Sequence, residues 1–546
     1  MRLTSATRTT RLISALLTLS AFCHSQDRKS RDWLTWGGDA ERTSWSRNET
    51  TISRTNVENL DLKWKTQIDK EVPIDIESGA AMLTAPLFVK NVKTSRGSKN
   101  LVFTLAASNT LAALDAESGA IVWQRTFTNK VPPPAKATWV CTNTPTATPV
   151  IDKPKGAIDL ISADGVLHVV SLADGEDKMP PVDFVPPYSR NWSLNLIDGC
   201  LYTTVGRGCG GTPSSQMAST MMAMDLNEPA HPVIRFVTSA GRPGGAWGRA
   251  GMVWGFHSLF IQTADGAWDP SGNKWGQTLL KLSPKILKLE DYFTPPNLDW
   301  INEKDLDFGS GGPVTFTYDN LEIVAAAGKD GTIYLLDAKL LGGADHRTPL
   351  FSLKAGNEAE LYERNGVWGA MATYADSKNN RWIYVPMWGP PAKDVSFGRA
   401  NGDAPDGSMM AFKVAMENQK PKLVPMWVSR NLAVPDPPVI ANALVFAIST
   451  GENTLQRHTN PRYQQLYRKP SDPPLSTRGI LTAEERRQQT THTILYAFNA
   501  ETGEELFSSK DKIDDWTHLS SVTVANGQVY VTTRKSIVYA FGLKKK

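Results

Sequence analysis

The chain has 546 residues and a formal net charge of only +4, and its basic residues are dispersed, so the composition does not indicate nucleic-acid binding. After the N-terminal region, no stretch is long and apolar enough to predict a membrane-spanning helix. The 41 Gly and 35 Pro residues are typical of a chain with many turns.

The N-terminus has the pattern of an export signal. Basic residues precede an apolar run over 12–22, which is too short to span a bilayer. A small residue, Ser25, suits the last position before cleavage. We therefore expect a signal peptide over 1–25 and a mature protein, 26–546, in the periplasm or outside the cell.

The next element in the chain is a strand without a preceding hairpin. The stretch 61–66 is amphipathic and contains Trp64. It resembles the second half of a hairpin phrase that occurs first at 111–123 and again at 495–507. Each complete copy is an apolar strand, a turn of Asp or Asn with Gly, and a second strand that ends in an aromatic residue. The Gly supplies the positive φ that such a tight turn needs.

Weaker copies of the first strand of this phrase fill the chain between and after the complete ones. They lie at 169–172, 222–225, 279–282, 333–337, 409–412 and 537–541. Together these positions form about eight anchors, roughly fifty to sixty residues apart, which is the pattern of a repeat architecture. The spacing suits a four-stranded blade with long loops, and sustained helical periodicity is nearly absent. We predict an all-β chain, an eight-bladed β-propeller of four-stranded antiparallel blades in one domain over 26–546.

The two ends of the repeat array are complementary. The last copy, at 538–541, lacks an aromatic-ending partner strand, whereas the strand at 61–66 lacks a hairpin. Pairing these strands would complete one blade and remove two exposed edges. The alternative is that 61–66 is an ordinary edge strand. We predict closure of the ring by the N- and C-terminal strands.

A polar insertion over about 452–491 interrupts the seventh repeat. It contains several Arg and Pro residues. Loops of this length in compact domains are usually functional or disordered. We interpret it as a lid or a flap that binds a partner, with disorder as the alternative.

Three cysteines remain after the predicted cleavage. Cys200 and Cys209 could close a hairpin as a disulfide in an oxidising compartment, which would leave Cys141 unpaired. Cys141 could instead pair with either of the others. No Cys-x-x-Cys zinc spacing or Cys-x-x-Cys-His haem attachment occurs.

Several stretches carry a resemblance to a known family. The opening 32–39, Asp-Trp-Leu-Thr-Trp-Gly-Gly-Asp, the segment 51–60 and the repeat phrases are similar to the quinoprotein alcohol dehydrogenase-like β-propellers. The resemblance implies the propeller fold and an axial funnel for pyrroloquinoline quinone (PQQ) and Ca²⁺. The same fold also serves non-catalytic scaffolds, so fold alone does not decide function.

The resemblance implies two residues that contact PQQ. Trp247, in the run 244–248, is similar to the family's quinone-stacking Trp, with a structural docking aromatic as the alternative. Lys329, in 328–331, stands where some family members donate to the quinone oxygens. An ordinary hairpin turn is the alternative for that segment.

Three carboxylates lie at positions where the family binds Ca²⁺ or has its catalytic base. Asp265 lies where the family has an Asn that binds Ca²⁺, although Asp-Gly is also a common turn. Asp305 matches the catalytic base, and Asp307 matches a further metal-binding Asp. We expect these two to share one face of a strand, where they would repel each other without a cation or a proton between them. A solvated loop is the alternative.

The chain departs from the family pattern at two places. It has no vicinal Cys pair, and the region 203–208, where the family's Glu ligand to Ca²⁺ would lie, contains no acidic residue. The leading interpretation is an exported PQQ- and Ca²⁺-dependent dehydrogenase that oxidises an alcohol, sugar or polyol and passes electrons to a separate acceptor. The alternative is a non-catalytic propeller that binds a protein or polysaccharide partner.

Overall fold

The structure is a computed structural model that describes residues 32–70, 83–133, 143–206, 219–238, 245–356, 365–452 and 490–544. These residues form an all-β fold of eight small antiparallel sheets arranged as an eight-bladed β-propeller, which confirms the predicted fold class. The predicted signal peptide and nearly all of the predicted insertion lie outside the described residues. Among the helices that the structure describes, none has the length and apolarity to cross a membrane.

Each blade is built on four strands that follow one another along the chain, except that the last blade takes its outer strand from the N-terminus. The strands of blade 1 are Leu87–Thr94, Gly97–Leu105, Thr110–Asp115 and Ile121–Thr126, and those of blade 2 are Val150–Asp152, Ala157–Ile161, Val166–Ser171 and Val182–Asp183. The strands of blade 3 are Asn195–Ile197, Cys200–Gly206, Thr220–Asp225 and Val233–Val237, and those of blade 4 are Val253–Gly255, Ser258–Gln262, Leu279–Leu282 and Leu289–Phe293. The strands of blade 5 are Val314–Tyr318, Leu321–Ala327, Thr332–Asp337 and Phe351–Lys354, and those of blade 6 are Ala372–Ala375, Arg381–Trp388, Gly407–Glu417 and Lys420–Val428. The strands of blade 7 are Val439–Ala441, Leu444–Ser449, Ile494–Asn499 and Glu505–Ser508, and those of blade 8 are Thr523–Ala525, Gln528–Thr532, Ile537–Leu543 and Leu60–Gln67.

Short strands and helical turns are present in addition to the four main strands of each blade. Two-residue strands extend blades 3, 6 and 7, and a small separate hairpin pairs Trp268–Asp269 with Lys274–Trp275. Among the described residues, the helical elements are the α-helix Leu298–Lys304 and the 3₁₀ turns Val57–Asn59, Pro270–Gly272, Phe308–Ser310 and Gly343–Asp345. The eight anchors that the sequence predicts all fall in, or at the end of, the third strands of the eight blades.

The ring closes as the sequence predicts. Leu60–Gln67 pairs antiparallel with Ile537–Leu543, so the first and last strands share blade 8. Trp64 sits in this pairing opposite Ala540. Closure covers the edge of Ile537–Leu543 that would otherwise be unpaired, and Leu60–Gln67 becomes the outer strand of the blade.

The aromatic residues that end the repeat phrases dock onto the next blade. The indole Nε1 of Trp64 donates to Ala116 O at 3.0 Å, and that of Trp427 donates to Ala500 O at 2.9 Å. Trp123 does the same to Leu172 O at 3.1 Å. In each case the ring lies over the Gly of the next blade's hairpin turn, whose φ is between +72° and +78°. The repeat phrase thus encodes the contact between blades as well as the turn itself.

Gly503→Ala should destabilise the protein by about 3 kcal/mol, because two costs combine at this position. An added Cβ would lie 2.5 Å from Cγ of the fully buried Trp427, and φ is +72°. Gly156→Ala is the matched control, since its φ is +61° but nothing lies within 4 Å of the added Cβ. The control should cost only about 1 kcal/mol. Chemical denaturation checks both values, and equal losses would contradict the docking role.

The N-terminal segment 33–46 lies along the central channel. It forms hydrogen bonds with the first strands of six blades, or with residues next to them: Trp33 with Phe88, Leu34 with Ile151, Thr35 with Leu194, Ala40 with Trp254, Thr43 with Thr373 and Ser44 with Ile440. Because the first strands of a propeller surround its axis, this segment fills part of the channel. Its buried Arg42 donates to Thr35 Oγ1 and to Leu194 O, which fixes the segment against blade 3.

Asp159 is a buried carboxylate between blades 2 and 3. It is 1 % exposed, and within the described chain neither carboxylate oxygen has a hydrogen-bond partner. Its ladder neighbours are Val150 and Val169. Burial, with a smaller contribution from Asp152, raises the pKa of Asp159 to about 8. The protein therefore holds a proton here that the unfolded chain releases near pH 4.

Asp159→Asn should stabilise the protein increasingly as the pH rises. A folded-state pKa of about 8, above the unfolded value, means that stability is lost as the pH rises from about 4 to about 8. The substitution removes that loss, so we expect a gain of about 5 kcal/mol at pH 8 and almost none at pH 4. Urea unfolding at both pH values measures it. A gain that does not depend on pH would contradict ionisation as the cause.

Candidate functional site

Loops at one end of blades 4 and 5 bring the five predicted site residues together. Trp247 precedes the first strand of blade 4, and Asp265 follows its second strand. Asp305 and Asp307 lie in the connection between the blades, and Lys329 follows the second strand of blade 5. Because neighbouring strands in a blade are antiparallel, the start of a first strand and the end of a second strand lie at the same end of the sheet.

The three aspartates form a compact carboxylate cluster. One carboxylate oxygen from each of Asp265, Asp305 and Asp307 lies within 4.8 Å of the other two, a spacing that could hold a metal ion. Asp307 is nearly buried, whereas the Asp305 side chain is 23 % exposed. The backbone N–H of Asp265 donates to Asp307 Oδ1 at 3.0 Å. The cluster therefore contains a fixed, buried carboxylate and a more accessible one.

Lys329 is the cation that faces this cluster. Its Nζ donates to Asp307 Oδ2 at 2.5 Å and to the Asp305 backbone oxygen at 3.3 Å, and it lies 3.9 Å from Asp305 Oδ1. Burial lowers the pKa of Lys329, but Asp307 and Asp305 outweigh that effect, so the pKa is raised and the ammonium stays charged. One ammonium offsets only part of the charge that three carboxylates can carry.

Asp265 carries the proton that this charge imbalance favours. Burial raises the pKa of Asp265 to about 8, and the nearby Asp307 and Asp305 add to the rise. Two ionised carboxylates so close together are unfavourable unless a cation or a proton lies between them. At neutral pH we therefore expect Asp265 to be protonated in the metal-free protein, and a bound cation would replace that proton.

The helix Leu298–Lys304 sets the position of Asp305. The helix ends at Asp305, which adopts the left-handed conformation with φ +57° and whose N–H donates to the carbonyls of Ile301 and Asn302. Asp307 then precedes a 3₁₀ turn. The prediction that Asp305 and Asp307 share one face of a strand is wrong, because this helix end turns the chain. The two carboxylates still converge, through a turn instead of a pleat.

Glycines allow the surrounding loops to approach closely. A Cβ on Gly309 would lie 2.5 Å from Ala264 N, and one on Gly311 would lie 2.0 Å from Ala327 O. The glycine-rich run after Asp307 is therefore required by the contact between three loops. In the sequence it could equally belong to a solvated loop.

Three tryptophans form the wall of the site. The rings of Trp247 and Trp368 meet at 5.3 Å and 63°, and Trp368 stacks on Trp388 at 4.5 Å and 6°. The Lys329 ammonium lies 5.1 Å from the centroid of Trp247 and 4.7 Å from that of Trp368. Sequence reasoning missed Trp368 and Trp388, because nothing local separates them from the many docking tryptophans.

Two amide side chains that the sequence analysis also missed support the loops. Asn302 Oδ1 accepts from Gly266 N at 3.2 Å and from Gln277 Nε2 at 3.1 Å. Gln277 Oε1 accepts from Phe308 N at 2.7 Å. These bonds tie the loop that carries Asp265 to the connection that carries Asp305.

The predicted disulfide alternatives involve Cys200, Cys141 and Cys209. Cys141 and Cys209 lie outside the described residues, so the pairing stays a prediction.

No protein-family model matches the sequence, and a search of curated proteins found no match. Solved structures do match. The europium-containing methanol dehydrogenase is 12 % identical, with a TM-score of 0.60 over 94 % of this chain and 99 % of that chain. The quinohemoprotein alcohol dehydrogenase of Comamonas testosteroni is 13 % identical, with a TM-score of 0.55 over 95 % of this chain and 82 % of that chain.

A second quinohemoprotein alcohol dehydrogenase, from Pseudomonas putida HK5, is also 13 % identical, with a TM-score of 0.57 over 95 % of this chain and 81 % of that chain. At such identities the likeness is one of fold. It confirms, at that level, the resemblance that the sequence motifs indicated. The chain therefore has the β-propeller fold of the quinoprotein alcohol and methanol dehydrogenases.

Proposed function

We propose that this protein is an exported quinoprotein-type oxidoreductase that oxidises an alcohol, sugar or polyol with PQQ and a hard cation. The observation that carries the proposal is the convergence of three carboxylates, one buried ammonium and a tryptophan wall at one end of the blades. These groups come from four separate segments of the chain. Strongly perturbed titratable groups gathered in this way are typical of functional sites.

The donor set fits a metal-bound quinone. Ca²⁺ prefers carboxylate and carbonyl oxygens, and Asp265, Asp305 and Asp307 supply three carboxylates within 4.8 Å of one another. The Trp247 ring offers an aromatic face, and Lys329 beside it offers N–H donors for ligand oxygens. Asp265 and Asp307 would bind the cation. A trivalent cation would suit the same ligands, since hard oxygen ligands of high charge favour it.

The roles of the residues follow from their exposure and contacts. When bound, PQQ supplies the two-electron acceptor and the cation polarises its carbonyl group. Asp305 accepts the substrate hydroxyl proton on a carboxylate oxygen, because it is the more accessible of the two carboxylates beside Lys329. Asp307 holds Lys329 in place through its 2.5 Å hydrogen bond. Since the sequence has no haem-attachment motif, the electrons pass to a separate acceptor.

Calorimetric titration of PQQ into the cofactor-free protein, with and without Ca²⁺, tests this proposal. We expect saturable binding that requires Ca²⁺, followed by dye-linked oxidation of an alcohol or a sugar. Ca²⁺ affinity should rise as the pH increases towards 8, because the pKa of Asp265 is raised to about 8 and its proton must leave.

Asp265→Ala should weaken Ca²⁺ binding, whereas Asp269→Ala, at an exposed carboxylate of the same blade, should not. Absence of PQQ binding at micromolar protein would overturn the cofactor assignment. It would favour the alternative of a non-catalytic propeller that binds a protein or polysaccharide partner. Export is part of the proposal, and N-terminal sequencing of the mature protein from the periplasm or the medium should begin at residue 26.

A further inference from the structure

The side chain of Asn302 holds the loop that carries Asp265. Asn302 Oδ1 accepts from the N–H of Gly266 at 3.2 Å, and Asn302 Nδ2 donates to the carbonyl of Gly266 at 3.0 Å. Both backbone polar groups of the residue after Asp265 are therefore bonded to one amide. The backbone carbonyl of Asn302 also accepts from the N–H of Asp305 at 3.4 Å. One residue of the helix Leu298–Lys304 thus fixes the backbone beside two of the three aspartates.

The side chain of Gln277 extends this link to the third aspartate. Its Nε2 donates to Asn302 Oδ1 at 3.1 Å. Its Oε1 accepts at 2.7 Å from the N–H of Phe308, the residue after Asp307. Gln277 is fully buried, so bulk water does not compete for these bonds. We call Asn302 and Gln277 the amide pair.

The backbone at Gln277 has an unusual conformation. Its φ is +53°, in the left-handed region that favours glycine, and its N–H donates to Ala264 O at 2.8 Å. A residue other than glycine keeps such a conformation only where its surroundings fix it. The contacts that fix Gln277 join it to the loop that carries Asp265 and to the connection that carries Asp307.

The amide pair opposes the repulsion between the carboxylates. One oxygen from each of the three aspartates lies within 4.8 Å of the other two, and Lys329 supplies a positive charge beside them. Without a restraint, carboxylates so close together would move apart in the cation-free protein. Loops that are already held do not have to be ordered when a cation binds, so more of the interaction energy appears as affinity.

We propose that Asn302 and Gln277 are positioning residues, which hold the three aspartates at the spacing that one hard cation requires. The bonds described above join these amides to backbone groups and to each other, so the pair acts on the cation through Asp265, Asp305 and Asp307. The inference rests on the cation-binding part of the proposed function, and it does not require PQQ.

Titration of Tb³⁺ into the full chain, free of metal and PQQ, tests this inference. Tb³⁺ is a hard cation that takes oxygen ligands as Ca²⁺ does, and the tryptophans of the site can sensitise its luminescence. The titration measures the affinity. Luminescence lifetimes in H₂O and D₂O give the number of water molecules on the bound ion, and competition with Ca²⁺ gives the Ca²⁺ affinity.

Two variants remove the amide pair one member at a time. Gln277→Met keeps the length of the side chain but removes both of its hydrogen bonds, and Asn302→Ala removes the other amide. Each should weaken Tb³⁺ binding roughly tenfold to a hundredfold, as is typical for groups that orient metal ligands. Each should also raise the number of water molecules on the ion, because water replaces a carboxylate that no longer reaches it.

Asn302→Ala keeps the test independent of how well Gln277→Met folds. Asn302 is only half-buried and lies on a helix, where Ala is favourable. The double variant should bind Tb³⁺ little more weakly than the weaker single variant, because the two amides act as one unit. A double-mutant cycle on the Tb³⁺ affinity measures this coupling.

Asn109→Ala is the matched control. Asn109 is 4 % exposed, and its φ of +62° is close to that of Gln277. Its Nδ2 donates to Asn129 Oδ1 at 2.6 Å, and its Oδ1 accepts from Ala163 N at 2.9 Å. It therefore ties loops of blades 1 and 2, as Gln277 ties loops of blades 4 and 5. Urea unfolding should show a comparable loss of stability, whereas the Tb³⁺ affinity and the number of bound water molecules should equal those of the wild type.

The inference holds if both amide variants lose affinity and gain water molecules on the ion relative to Asn109→Ala. This result would stand even where PQQ does not bind and the oxidoreductase proposal fails. The inference is overturned if either measure equals that of the control, even where the wild type oxidises a substrate with PQQ. It is also overturned if the wild type binds neither Tb³⁺ nor Ca²⁺.

Discussion

Asp305→Asn should lower kcat for the alcohol or sugar substrate roughly 10³-fold, within the range for loss of a general base. The structure indicates that this substitution leaves the backbone and its neighbouring contacts unchanged. Asp305 caps a helix with φ +57°, a conformation that Asn tolerates as well as Asp does. Its backbone oxygen still accepts from Lys329 Nζ after the change. Folding and PQQ binding should therefore persist while proton removal fails.

Steady-state kinetics with a dye acceptor measure this loss, and calorimetry of PQQ binding serves as the companion readout. Asp299→Asn is the matched control, because Asp299 lies in the first turn of the same helix and outside the carboxylate cluster. The control should keep full activity. Unchanged turnover in Asp305→Asn would remove Asp305 from the mechanism and favour the scaffold alternative.

Lys329→Met should destabilise the cofactor-free protein by about 4 kcal/mol, as expected when one partner of a buried ion pair is removed. The Lys329 and Asp307 side chains are 4 % and 6 % exposed and lie 2.5 Å apart. Without the ammonium, Asp307 and the neighbouring carboxylates repel each other. The loss should be larger at pH 8 than at pH 5, because protonation of the carboxylates relieves the repulsion at the lower pH. Chemical denaturation at both pH values measures it.

A control variant and a double variant test whether the lost stability comes from the buried ion pair. Lys65→Met removes an exposed ion pair in which the Lys65 side chain is 48 % exposed and the Asp514 side chain is 58 % exposed. This substitution should lower the free energy of unfolding by less than about 1 kcal/mol. Adding Asp307→Asn to Lys329→Met should recover most of the lost stability, which a double-mutant cycle measures. Added Ca²⁺ should also stabilise the Lys329→Met protein. If the pH and Ca²⁺ have no effect on it, the carboxylates do not act as one charged cluster.

The fold could be predicted because its signals are local and repeated. The turn with Gly119 recurs with Gly503, and the strand after each turn carries an aromatic residue, Trp123 or Phe507, that contacts the next blade. Ring closure was also predictable, because the strand at 61–66 and the last strand were each incomplete alone. In both cases a few neighbouring residues carry the whole signal.

The candidate site was predictable in its residues but not in its geometry. The resemblance singled out Trp247, Asp265, Asp305, Asp307 and Lys329, and all five converge. The expected strand at the Asp305–Asp307 pair was wrong, since a period of two over three residues cannot be distinguished from a helix end followed by a turn.

The sequence by itself determined the all-β class, the number of blades, the closure of the ring and the candidate residues of the site. Those features depend on turn chemistry and on strand periodicity, which act between near neighbours. Only the tertiary structure decided that Trp368 and Trp388 line the site and that Lys329 neutralises Asp307. Each of these contacts joins side chains from separate strands or loops, which the local pattern of the sequence does not bring together. Their energies depend on burial and on distances through space, which the order of residues does not contain.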